Sequence, residues 1–140
     1  MVRSVFAVIA GIFAGAILVF VIERAGHAFF PAPPGFDPTA PGAIASLPFQ
    51  SKFSVLIAWF AGALGGGIVA ALASRRWAPT AWIVAATILL LAGTSLASID
   101  HPPWMALGSI PATALGGVLA IKLTRGRYGA PPAAAKATGF

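Results

Sequence analysis

An all-α membrane bundle of four spanning helices is the fold this sequence predicts, and three observations predict it. Hydrophobic residues make up 59% of the chain and charged ones 9%, with a mean hydropathy of +0.91. One soluble core of this size could not hide so much apolar surface, whereas lipid solvates it. Four apolar runs reach the length that crosses a bilayer, roughly 17 to 25 residues, and each is bounded by charge or proline. The basic residues stand at the ends of those runs, so the net charge of +6 reads as membrane topology and no nucleic-acid partner is expected. Cysteine is absent, which excludes disulfides, thiolate metal sites and thiol nucleophiles.

The first span covers 4–22. Arg3 ahead of an apolar core also fits a secretory signal peptide, but the core is long and no small-x-small cleavage pattern follows it. Backbone groups in hydrocarbon must be satisfied internally, so the spans are helices. A loop at 23–52 follows, rich in proline and phenylalanine and short of charge. Phe29, Phe30, Phe36 and Phe49 are expected to keep it against the bundle or the head groups, as a lid. Within it, Asp37 before Pro38 reads as the N-cap and first position of a short surface helix reaching to about Leu47. The remaining spans are 53–74, 80–98 and 103–123. Their connections, RRWAP and IDHPP, are short, which makes these three helices antiparallel neighbours. Pro111 removes one hydrogen bond inside the fourth span and is expected to kink it unless neighbours or Thr113 compensate. Trp77 and Trp104 fit interfacial anchors. The bundle thus occupies 1–125, and 126–140 is expected to be a flexible cytoplasmic tail.

Orientation follows from charge. With the first residue inside, Arg3, Arg75, Arg76, Lys122, Arg125, Arg127 and Lys136 share one side, against Arg24 and Lys52 on the other. That asymmetry places both termini in the cytoplasm. The second and fourth spans share the string ALGG, at 63–66 and 114–117, which suggests two helical hairpins in tandem; the abundance of these residue types is an equally good explanation.

Small residues recur along the spans: Gly11 and Gly15 in the first, Gly62 and Gly66 in the second, Gly108, Ala112 and Gly116 in the fourth. Such ridges let helix backbones approach closely, which drives association in lipid. They serve packing within the chain or assembly into a homo-oligomer or larger membrane complex.

The chemistry-bearing residues are few and one-sided. Glu23, Asp37 and Asp100 are the only acids and His27 and His101 the only histidines, and on this topology all five fall at the outer, periplasmic border. Glu23 and His27, four apart, share a face if the first helix continues through Gly26. With Asp100 and His101 from the other outer loop they form a candidate cluster for a divalent metal such as zinc, iron or manganese, for a proton, or for a small polar ligand. The alternative for each is structural: Glu23 and His27 as interfacial residues, Asp100 as the cap of the fourth helix.

The elements ERAGHAFFPAPPGFDP after the first span, GALGGG in the second and HPPW opening the fourth resemble a group of small bacterial four-span membrane proteins known as hypothetical proteins. The resemblance runs over nearly the whole chain and implies a bacterial inner membrane and a four-helix fold, with no activity attached. A transport-like or ligand-binding bundle is therefore the leading functional expectation. A non-catalytic subunit of a larger complex is the alternative, and an enzyme acting on lipid or quinone through an acid–histidine base ranks below both, because no serine, cysteine or tyrosine nucleophile is placed beside the pair.

Overall fold

The computed structural model describes residues 2–131. Four long helices and one short one follow in order: α1 (Val2–Phe29), α2 (Ala43–Ser46), α3 (Phe49–Ala73), α4 (Ala78–Ser98) and α5 (Pro103–Thr124). The four long ones are each apolar and long enough to cross a membrane. Among the described residues there is no sheet, only a single bridge between Trp77 and Arg127.

The helices extend beyond the apolar runs. α1 has 28 residues, about 42 Å at 1.5 Å per residue, against a hydrocarbon core of roughly 30 Å. The excess carries Glu23 and His27 on helix rather than on loop. At the far side of the loop, α3 begins at Phe49, four residues before its apolar run, so Ser51 and Lys52 are helical as well.

α3 is the hub and packs on α1, α4 and α5. Its core is built of small residues around a few large ones: Ala63, Ala70, Ala85 and Ala92 surround Leu56, Trp59, Val84 and Ile88. Glycine makes the closest approaches. A Cβ on Gly11 would lie 2.6 Å from the Gly66 carbonyl oxygen, one on Gly15 2.7 Å from that of Gly62, and one on Gly116 2.7 Å from that of Phe60. Side chains at these positions would force whole helices apart. The expected ridges therefore close the bundle within one chain; Gly108 meets Leu56 of α3 and Ala112 is half-buried. Outside the core the surface is greasy, with Phe13 68% and Leu107 71% exposed, a state that water would penalise and lipid does not.

The basic end is tied together by backbone. Arg3 Nε donates to the Ala73 carbonyl at 2.8 Å, Arg127 N to Arg76 O at 2.7 Å, and Ala78 N to Arg127 O at 2.9 Å. The start of α1, the α3–α4 turn and the segment after α5 thus meet at one end. Ser74, Thr80 and the Trp77 carbonyl form a buried hydrogen-bonded knot beneath them. The C-terminal segment expected to be free starts with residues bonded to the bundle, since Trp77 Nε1 also donates to Gly129 O at 3.0 Å; 132–140, with Lys136, lie outside the described residues.

Two local expectations, on Asp37 and on Asp100, are corrected. The loop helix does not start at Pro38: the Asp37 carboxylate accepts the N–H and O–H of Thr39, which makes a turn, and the helix begins only after Gly42, whose φ of 71° reverses the chain where an L side chain would be strained. Those two bonds hold the Asp37 carboxyl below its ordinary range. Asp100 does not cap α5, whose N-cap is Pro102 without a side-chain bond. Pro111 leaves α5 unbroken from Pro103 to Thr124, with the Thr113 hydroxyl bonded to Ser109 O at 2.9 Å.

Candidate functional site

The polar end of the bundle encloses a cavity of about 430 Å³. α1 supplies Glu23 and His27, α3 supplies Ser51, Lys52 and Val55, α4 and the turn after it supply Ser95, Ile99 and His101, and α5 supplies Met105. The loop between α1 and α3 forms the remaining wall with Phe30, Phe36, Pro38, Ile44 and Leu47. The phenylalanines that made this loop look like a lid do face the chamber, except Phe49, which stacks between Phe53 and Trp104 with centroids 5.6 and 5.4 Å away, and Phe29, which is 79% exposed.

Two latches fix the lid, one at the N-cap of α2 and one within that helix. Gly42 N donates to Asp100 Oδ2 at 3.0 Å, and Lys52 Nζ donates to Ala45 O at 2.8 Å. The first joins the α1–α3 loop to the α4–α5 turn. It also explains why Asp100 is absent from the chamber wall.

Of the four residues expected to share a site, three therefore line one chamber and Asp100 does not. Among the described residues no group of three or more histidine or acidic side chains is placed to hold a metal ion. Asp100 is turned to Gly42, and the His101 ring is tethered by Nδ1 to the Ile99 carbonyl at 2.7 Å. A carbonyl only accepts, so Nδ1 carries a proton, and Nε2 can accept whenever the ring is neutral. Glu23 stands within Coulombic reach of both His27 and His101, with the Trp59 indole as a polar neighbour.

A second cavity, of about 250 Å³, adjoins the first. It runs between α1 and α4 along Ala16, Val19, Phe20, Ile88, Leu91 and Ala92, with Trp59 of α3 at its back. Glu23 and Ser95 belong to the walls of both cavities. Below the second cavity the two helices meet closely, Gly11 against Val84 and Gly15 against Ile88. Trp59 and Ser95 were missed as site residues. Nothing in the sequence separates Trp59 from the other tryptophans, and Ser95 gives no signal in an apolar helix; only the fold brings both into a cavity wall with Glu23.

Comparison with protein-family models, with curated proteins and with solved structures finds no match. Function has to be argued from the site.

Proposed function

We propose that this is a multi-pass inner-membrane protein of a bacterium that binds a small amphiphile, with the polar head in the lid-covered chamber and a hydrocarbon chain in the α1–α4 cleft. The observation that carries this is the position of Glu23 in the wall shared by a mixed chamber and an apolar cleft. The chamber volume falls in the range of small-molecule sites, about 300–1,000 Å³, which are mostly apolar with a few convergent polar groups.

The chemistry favours a head that donates hydrogen bonds. With Glu23 ionised and the His101 ring neutral, the carboxylate and Nε2 both accept, and a second carboxylate brought beside Glu23 would be repelled. A hydroxyl or amine satisfies them. His27, one turn from Glu23 on the same helix, can exchange a proton with the head or with Glu23.

The basic end is assigned to the cytoplasm and the chamber to the periplasmic border, on the asymmetry of Arg and Lys. The tandem-hairpin reading draws support from the second glycine of each ALGG: Gly66 packs on Gly11 of the preceding helix, and Gly117 on Ala85 and Trp82 of its own.

The test is native mass spectrometry of the detergent-purified protein titrated with a long-chain alcohol and with the matching carboxylate. One alcohol adduct per chain is expected, bound at least about tenfold more weakly in Glu23→Ala, the loss of one hydrogen bond to a charged group, and in Ser95→Phe, which blocks the junction. Equal binding of alcohol and carboxylate, unaffected by either substitution, would overturn the reading.

A further inference from the structure

The opposite end of the bundle holds a concave pocket of about 330 Å³ lined by Arg75, Arg76, Trp77, Arg127, Tyr128 and Ala130. Three arginines line it, and among the described residues no side-chain carboxylate lies beside them, Glu23, Asp37 and Asp100 all standing at the other end.

The pocket is built rather than incidental. Arg75 and Arg76 both occupy the left-handed region, with φ of 59° and 63°, where side chains other than glycine are disfavoured. This conformation reverses the chain between α3 and α4 within one turn and puts two consecutive arginines on its rim. Arg127 is fixed opposite them by its backbone bonds to Arg76 and Ala78. The far wall is pinned by two indoles, Trp77 to Gly129 O and Trp82 Nε1 to the Tyr128 hydroxyl, each at 3.0 Å.

We infer that this pocket binds a phosphate diester, presented by the head group of an anionic phospholipid. The guanidinium fork matches phosphate oxygens two at a time. A basic pocket at the ends of spanning helices meets lipid phosphates at head-group depth, and Trp77 and Tyr128 are the aromatic types that settle at that depth. An external anion also balances the charge of the three arginines that line the pocket.

The test is native mass spectrometry of the full chain titrated with phosphatidylglycerol, with phosphatidylcholine and with inorganic phosphate. We expect retained phosphatidylglycerol adducts, at least tenfold weaker in the variant carrying Arg75→Gln, Arg76→Gln and Arg127→Gln. A control carrying Arg3→Gln, Lys122→Gln and Arg125→Gln loses the same charge outside the pocket and should weaken binding less than threefold. Arg127→Lys, which keeps charge and loses the fork, should give an intermediate loss and serves if the triple variant does not fold. Equal weakening in pocket and control variants would overturn the inference in favour of diffuse charge attraction. Displacement of the lipid by millimolar inorganic phosphate would overturn the lipid source.

Discussion

The Asp100 carboxylate accepts a hydrogen bond from the backbone N–H of Gly42 at 3.0 Å, so the turn between α4 and α5 holds down the lid that leads from α1 to α3. This bond lies at an exposed site, and its loss is expected to cost only about 0.5–1.5 kcal/mol of global stability. Its effect on the lid is larger. Asp100→Ala should raise amide hydrogen exchange at 40–47 and leave the centres of α3 and α5 unchanged, while Asp100→Asn, which keeps an acceptor, should show about half the effect or less. Unchanged exchange in Asp100→Ala would show that Lys52 and the loop's own packing suffice.

Gly66 and Gly93 make a matched pair. A Cβ on Gly66 runs into the Gly11 carbonyl oxygen, whereas one on Gly93 meets nothing. Gly66→Leu is expected to destabilise the bundle by about 3 kcal/mol or more, the upper part of the range for overpacking, because backbone cannot move aside as a side chain does. Gly93→Leu, on a lipid-facing position, should be neutral within about 0.5 kcal/mol. Steric-trap or denaturant unfolding in detergent reads both.

The Asp37 turn carries a pH dependence of known sign. Its carboxyl lies below its ordinary range because Thr39 donates to it, so the turn's stabilisation is complete above the unfolded-chain pKa and is lost as pH falls through the lower folded value. Thr39→Val removes the hydroxyl donor and should move the Asp37 titration upward, as read by carboxyl carbon chemical shifts. No movement would mean that the Thr39 backbone N–H alone sets it.

The absence of native cysteine makes topology directly measurable. A single cysteine at Thr39 should react with a membrane-impermeant maleimide in intact spheroplasts, and one at Tyr128 should react only after permeabilisation. The reverse pattern would invert the orientation assigned from charge.

Much of this fold was legible in the sequence because bilayer thickness and backbone hydrogen bonding leave few choices for apolar runs of this length. The four spans and the face shared by Glu23 and His27 follow from run length and helical spacing. The helix ends did not: α1 continues past its apolar run to Phe29, since nothing in GHAF breaks a helix before Pro31. Asp100 adjoins His101 in sequence, yet adjacent residues in a turn point different ways, and its partner is a backbone N–H that no residue pattern advertises. Trp59 and Ser95 reach Glu23 only through helix packing angles, which sequence spacing on a single helix cannot supply.

The most direct test of amphiphile binding is photo-crosslinking in nanodiscs with a long-chain alcohol bearing a diazirine in its chain, followed by peptide mapping. Adducts are expected to concentrate on Val19 and Phe20 of α1 and on Leu91 and Ser95 of α4, to be removed by excess unlabelled alcohol and to fall at least about tenfold in Glu23→Ala. Adducts spread over the lipid-facing surface, at Phe6, Phe13, Leu107 and Ile110 as readily as in the cleft, and indifferent to competitor, would contradict it.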